Sequence, residues 1–341
     1  MKALTSISWR ATSDDVLSWF SPGKSTVCGP GYYFVPRYAA TSAMELCRIV
    51  RDVLDCLIVG GGPAGLTAAI YLARYRRSVA VFDDGKSRAA WIPKSHNYPG
   101  FPSGVSGREL LDRLERQAES YDVELVRERI SLLEKSGTGF RAVYGDREIA
   151  ARRVLLATGI VDEAPDIQGV EKAVLEGIVR YCPVCDAYEA IDRRIAIMGP
   201  GAGALAKARF LRHYSDRVTL VLQKAPSSEH LAEAKEAGIS IRLADPQLEI
   251  RDGAIHVSNG PNGAETFDVL YPALGCSVGS AMAVRLGAAS NEDGCLVVDG
   301  HQQTTVDGIY AAGDVVSDLH QISVAAGHAA VAATAIHKSL G

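Results

Sequence analysis

The run Cys56-Leu57-Ile58-Val59, followed at once by Gly60-Gly61-Gly62-Pro63-Ala64-Gly65, restricts this chain more than any other stretch of it. The apolar run reads as a buried strand, the glycines as a tight turn, and the Ala/Leu-rich segment through Arg74 as a helix. Gly60, Gly62 and Gly65 fit G-x-G-x-x-G. The first glycine permits the turn, the second lets a pyrophosphate approach the backbone, and the third lets helix and strand pack closely. The helix N-terminus adds the positive end of a dipole. A second apolar run, Ser78 to Phe82, ends in Asp83, 18 residues past Gly65, where a carboxylate accepts hydrogen bonds from an adenosine ribose. A merely structural glycine turn does not explain that spacing. Gly60, Gly61, Gly62, Pro63, Ala64, Gly65 and Asp83 are therefore the expected contacts of a bound dinucleotide.

The pattern returns 139 residues later. A strand over Arg194–Met198 enters Gly199-Pro200-Gly201-Ala202-Gly203-Ala204, then come a helix from Ala204 to His213 and a strand over Val218–Leu222. That separation is one domain length. Gly199, Gly201 and Ala204 fit G-x-G-x-x-A, but the strand ends in Gln223-Lys224 rather than an acid. No carboxylate awaits a free ribose 2′-hydroxyl, which disfavours NADH, and Lys224 is the adjacent cation for a 2′-phosphate. The unit reads as a nicotinamide site with NADPH preferred, against a unit that kept its fold and lost its cofactor. Leu155-Leu156-Ala157-Thr158-Gly159 is a further strand ending in a turn. The chain closes with a strand over Gly308–Ala312, the turn Gly313-Asp314 and an Ala-rich helix from about Gln321 to Lys338.

At about 150 residues per domain, 341 residues make two domains and a remainder. Residues 1–50 supply the remainder. Ser and Thr recur there, Pro22, Gly29, Pro30, Gly31 and Pro36 interrupt, and a poorly ordered extension is expected. The first 43 residues lack the basic and apolar regions of a secretory signal, and Asp14-Asp15 argue against a transit peptide. A reducing, cytoplasmic setting follows as an expectation, with Met44 as an alternative start. Hydrophobic residues at 47% and charged residues at 22% exclude a largely disordered or coiled-coil chain. A net charge of −4 leaves no global field for nucleic acid or an anionic membrane. The charge-free stretch from Cys56 to Ala73 is broken by its glycines, so no membrane span is expected.

Seven cysteines are too few for a disulfide scaffold, and only Cys182 and Cys185 have a meaningful spacing. Zinc needs four ligands, and no second C-x-x-C, C-x-x-H or H-x₃₋₅-H accompanies them. A C-x-x-C between two dinucleotide motifs is better read as a dithiol exchanging electrons with a flavin, with Asp186 as a candidate acid for a leaving thiolate. His213 reads as a helix-end residue. Lys86, Arg88 and Lys94 read as a solvated loop, with contact to phosphates or an anionic partner as the alternative.

Gly60 to Gly65, Leu155 to Gly159, Tyr181-Cys182-Pro183-Val184-Cys185-Asp186 and Tyr310-Ala311-Ala312-Gly313-Asp314-Val315 come in an order and spacing that resembles the low-molecular-weight thioredoxin reductases. The resemblance runs from about Asp55 to Leu340. It implies an α/β fold of two Rossmann-like domains, the second inserted into the first: an FAD domain over 51–161 and 274–341, and an NAD(P) domain over 162–273 that carries the dithiol. It also implies that Asp314 bonds the ribityl or phosphate side of FAD, that Gln321 starts a helix aimed at the flavin N1–C2 edge, and that Asn97 lies beside the flavin. Thr158 and Gly159 join the cofactor contacts with Gly313. By the same likeness Cys185 faces the flavin, Cys182 attacks a partner disulfide, and Asp186 is the acid. The implied activity carries electrons from NADPH through FAD to a thioredoxin-like protein or small disulfide, in a homodimer whose inserted domain rotates between flavin and partner. The sequence departs from the family where its His-Arg-Arg segment is Leu222-Gln223-Lys224. A ferredoxin-fed reductase, a dithiol oxidase using oxygen and a non-catalytic flavin redox sensor are the competing expectations.

Overall fold

A computed structural model of the protein describes residues 53–222, 226–243, 247–258, 264–316 and 319–341. The expected N-terminal extension over residues 1–50 and the candidate contact Lys224 lie outside the described residues.

The first sheet is built from both ends of the described chain. Strands β1 (Val53–Val59), β2 (Val79–Phe82) and β3 (Glu124–Val126) run parallel in the order β3-β2-β1. On its other side β1 pairs in parallel with β6 (Arg147–Leu156), Leu57 opposite Val154. β6 is long enough to serve two further partners. Its first half pairs antiparallel with β5 (Gly139–Tyr144), which forms a hairpin with β4 (Leu132–Ser136), and its last residues take β16 (Ile309–Ala311) in parallel. Strand β1 buries both faces, as a parallel strand covered on two sides must. Cys56 and Ile58 pack with helices α1 (Pro63–Arg74) and α8 (Ile322–Ser339), while Leu57 and Val59 pack with Phe82, Leu156 and Ala311. The two helices approach closely because their facing residues are small: Ala68 and Ala69 on α1, Ala325, Ala329, Ala332 and Ala333 on α8. Helix α2 (Gly107–Glu119) is capped by Ser106, whose side chain accepts from the Glu109 amide.

The chain leaves this sheet through β7 (Ile160–Asp162) and returns through β15 (Cys276–Val278), which pair antiparallel with Asp162 opposite Cys276. Between them lies a parallel sheet in the order β10-β9-β8-β14, made of β8 (Ile195–Met198), β9 (Val218–Leu222), β10 (Ser240–Leu243) and β14 (Val269–Pro272). Ile195, Ile197 and Leu220 pack with Leu205 and Leu211 of α5 (Gly201–Leu211) and with Ala234 of α6 (Ser228–Glu236). Ala196, Val221 and Leu270 face Ile255, Val257 and Phe267 of a three-stranded antiparallel sheet, β11 (Gln247–Arg251), β12 (Ala254–Ser258) and β13 (Ala264–Phe267). Two short helices, α3 (Val170–Leu175) and α4 (Pro183–Asp186), precede this sheet, and α7 (Ala281–Arg285) follows β15.

Several element boundaries shift by one to three residues from expectation, and the starts of β2 and α5 do so for clear local reasons. β2 starts at Val79 because Ser78 is held in a reciprocal bond with Asp55: each backbone N–H donates to the other's side chain, at 2.9 and 3.0 Å. α5 starts at Gly201, not Ala204, since its first turn is closed by the glycine segment itself. Among the described residues, no helix is long and apolar enough to cross a membrane.

Candidate active site

The first glycine turn is fixed by close approach. Gly60 sits at φ +106°, and a Cβ there would lie 2.3 Å from the Ala157 carbonyl oxygen. A Cβ on Gly65 would lie 1.9 Å from the Gly60 carbonyl oxygen, so α1 can rise from the strand only with glycine at that position. No side chain caps α1 at Gly62, and its N-terminus opens onto the groove beside the sheet. Asp83, at the end of β2, accepts from the Gly61 amide at 3.1 Å through Oδ1, and Arg127 Nη1 stands 3.1 Å from Oδ2. Thr158 Oγ1 donates to the Gly279 carbonyl at 2.7 Å, and Gly159 takes φ +59° to turn the chain into β7.

A cavity open to solvent runs from Gly62, Pro63 and Ala64 past Asp314 and Gln321 to Cys182 and Cys185. A second continues from it on the Asp83 side, the two sharing Gly62, Ser87, Arg88 and Ala157. Arg88 is not a solvated loop residue. Its Nε lies 2.5 Å from Asp162 Oδ2, its Nη2 donates to Asp162 Oδ1 at 3.1 Å, and its Nη1 is 3.6 Å from Asp314. Burial pushes the Asp314 carboxyl above its ordinary range, against the opposing pull of Arg88. Gly313, at φ +83°, lets the chain pass Ala64, whose Cβ would be 3.0 Å from an added Cβ.

Cys182 and Cys185 form a disulfide at the start of α4, with Pro183 in its first turn. Gln321, the N-cap residue of α8, donates through Nε2 toward Cys185 Sγ at 3.2 Å and Cys182 Sγ at 3.4 Å, and to the His320 carbonyl at 3.0 Å. Asn97 Nδ2 donates to Gln321 Oε1 at 2.9 Å and to the Val184 carbonyl at 3.4 Å, and Ser95 Oγ donates to Asn97 Oδ1 at 3.0 Å. The loop after β2, the dithiol helix and the last helix thus meet in one network of amides around the disulfide. Asp186 lines the same cavity. Tyr271 Oη donates to its Oδ1 at 2.8 Å, and Arg180 Nη1 is 3.6 Å from its Oδ2. Burial pushes the Asp186 carboxyl up to about 6, with Arg180 and Tyr271 holding it from going further.

The second glycine turn lies apart from this cluster. Gly199, Pro200 and Gly201 border a third cavity with Leu222, Ser227 and His230. Ala204 is fully buried, and a Cβ on Gly203 would meet nothing within 4 Å. No side chain caps α5, while Ser227 caps α6 by accepting from the His230 amide at 3.2 Å.

Sequence reasoning missed Asp162, Arg180, Lys207 and Tyr271, and read Arg88 as a loop cation without its carboxylate partners. Lys207 on α5 donates to the carbonyls of Tyr181 at 3.1 Å and Pro272 at 2.6 Å, and burial lowers its ammonium below the usual range. One signal was present: a tyrosine in the strand Val-Leu-Tyr-Pro carries a hydroxyl that must find a partner once buried.

Residues 54–329 match the family described as pyridine nucleotide-disulphide oxidoreductase. The chain belongs to that family. Within it, the chain is a disulfide reductase of the thioredoxin reductase type. It is 30% identical over 302 residues to a thioredoxin reductase of Mycolicibacterium smegmatis, covering 83% of this chain and 95% of the relative. It is 30% identical over 310 residues to thioredoxin reductase 1 of Saccharomyces cerevisiae, covering 83% and 97%. The solved thioredoxin reductase of Streptococcus pyogenes MGAS5005 superposes with a TM-score of 0.78 at 28% identity, over 85% of this chain and 98% of that one. In this oxidoreductase the disulfide, Asp186, Asn97, Asp314 and Gln321 share one cavity, and the Gly199 turn opens into another.

Proposed function

We propose that this disulfide reductase passes electrons from NADPH through FAD to the Cys182–Cys185 disulfide and on to the disulfide of a thioredoxin-like protein. The observation that carries the reading is the convergence of that disulfide, Asp186 and the N-terminus of α8 on a cavity that reaches back to the first glycine turn.

The cavities suit the cofactors. An uncapped helix N-terminus at Gly62, glycines that admit no Cβ, and two adjoining cavities fit an extended dinucleotide whose pyrophosphate lies on the turn. In this reading Gly60, Gly61, Gly62, Pro63, Ala64 and Gly65 hold the pyrophosphate of FAD, and Asp83 holds its ribose. Thr158, Gly313 and Asp314, which line the two cavities, would hold its central part, Gly159 would turn the chain behind Thr158, and Asn97 and Gln321 would lie at the flavin. FAD, when bound, supplies a two-electron relay between nicotinamide and dithiol. Gly199, Gly201 and Ala204 would hold the nicotinamide nucleotide, at the turn that borders the third cavity. With FAD bound, Cys185 would be the cysteine on the flavin side and Cys182 the one that attacks the partner disulfide, while Asp186, on the same cavity, would give and take the proton of the thiol. The FAD domain spans 51–161 and 274–341, and the NADPH domain spans 162–273.

With the disulfide held against Gln321 inside the cavity, a protein disulfide reaches Cys182 only after the inserted domain turns away. We place the enzyme in the cytoplasm as a homodimer.

The test is a spectrum of the purified protein, followed by anaerobic titration with NADPH, NADH and reduced ferredoxin, and then turnover with thioredoxin. Bound flavin bleached by NADPH and rapid thioredoxin reduction are expected. A protein that holds no flavin refutes the reading. Flavin bleached by ferredoxin but by neither nicotinamide refutes the donor alone, and oxygen consumption with a small dithiol in place of thioredoxin turnover replaces reductase with oxidase.

A further inference from the structure

Asp186 is gripped from behind by side chains that the C-x-x-C segment does not supply. Tyr271 on β14 is fully buried, yet its hydroxyl donates to Asp186 Oδ1 at 2.8 Å and lies 3.4 Å from the Asp186 carbonyl oxygen. Arg180 Nη1 donates to that carbonyl at 3.0 Å and stands 3.6 Å from Oδ2, while Arg180 Nε is anchored on the Gly177 carbonyl at 2.8 Å. Phenylalanine would fill the core position of Tyr271 without burying a hydroxyl, so the oxygen is retained for its carboxyl partner rather than for packing. Two further charges face the same carboxyl: Glu189 from the turn that follows α4, and the Lys207 ammonium from α5. Burial raises the carboxyl and Glu189 adds to it, while Arg180, Tyr271 and Lys207 oppose.

We infer that Tyr271 and Arg180 are positioning residues for the acid: Tyr271 holds Oδ1, so the exchangeable proton sits on Oδ2, and Arg180, bonded to the Asp186 carbonyl and facing Oδ2, favours its release. The inference rests on the reading of Asp186 as the acid. Two electrons break the sulfur–sulfur bond, and one proton leaves the pair as one thiol and one thiolate. Asp186 gives that proton from Oδ2, and recovers one when the dithiol is reoxidised by a partner disulfide. Removing the Tyr271 hydroxyl or the Arg180 cation takes away a group that favours the carboxylate, so the carboxyl should hold its proton to higher pH.

The test is the pH dependence of iodoacetamide alkylation of Cys182 in the chemically reduced holoprotein, read by mass spectrometry, with thermal midpoints recorded. The wild-type profile should carry an inflection near the Asp186 titration that Asp186→Asn deletes. Tyr271→Phe should move it upward by about one pH unit, the size expected for one hydrogen bond to a charged group, and Arg180→Met should also move it upward, by removing the cation that stands 3.6 Å from Oδ2. An Asp186→Asn profile identical to wild type removes the acid reading itself. An inflection that Asp186→Asn deletes but that stays in place in the positioning variants overturns the present inference and spares the acid. Tyr271→Phe and Arg180→Met are read independently, so either folded variant decides the matter.

Discussion

The Asp186 side chain is only 20% exposed, and its carboxyl pays for that position in a pH-dependent way. Its folded value, about 6, lies above the ordinary 3.8. The native state therefore binds the extra proton between those values, and stability falls as pH rises through them. Below about pH 3 the carboxyl is neutral in both states and costs nothing, whereas above about 6 the full cost is present. Asp186→Asn should accordingly raise stability by about 2 kcal/mol at pH 7.5 and leave it nearly unchanged at pH 3, measured by denaturant unfolding at both values. The same substitution should lower disulfide turnover roughly a hundredfold, the usual worth of a positioned acid. Equal stabilisation at both pH values would show that charge burial is not its source. Cys182, Cys185 and Asp186 were legible in the sequence because they are contiguous. Tyr271 stands 85 residues away and Arg88 meets Asp162 across 74, so no local pattern announces either partner.

At the scale of elements, the glycine turns were legible because each strand, turn and helix is consecutive in sequence and its glycines answer to sterics that act over a few residues. The ribbon β7–β15 was not, since its strands are three residues each and lie more than a hundred positions apart. The two turns also differ in what they tolerate. Gly65 lies against the Gly60 carbonyl, so Gly65→Ala should force α1 off the sheet, cost about 3 kcal/mol and release the flavin. Gly203 faces open space within the first turn of α5, so Gly203→Ala should stabilise by up to about 1 kcal/mol through helix propensity alone. Thermal unfolding and flavin fluorescence of the two variants side by side check the contrast. A Gly65→Ala protein that keeps its flavin and its midpoint would mean that the turn relaxes more readily than its packing implies.

For the whole molecule, the proposed turning of the inserted domain has to be absorbed where the chain crosses between the sheets. Arg88 staples Asp162 at the end of β7 to the loop after β2, and Asp162 is paired with Cys276, so the ribbon itself is tied to the first sheet. Bending is then left to the residues just beyond it. There Gly275 takes φ +99° with nothing within 4 Å of an added Cβ, and its carbonyl accepts from the Glu163 amide at 3.0 Å. Space is not what requires glycine at 275; the left-handed backbone is. Gly275→Ala should therefore cost about 1 kcal/mol in the arrangement seen here, where that φ is held, and bias the molecule away from it toward conformations with negative φ. The disulfide would spend less time against Gln321, so its reduction by NADPH should slow severalfold, while a chemically reduced enzyme should pass electrons to thioredoxin at the wild-type rate. Stopped-flow measurement of the two half-reactions separates these outcomes. If both slow equally, the substitution has damaged the fold rather than the equilibrium, and if neither changes, the bend lies elsewhere in the crossing segments.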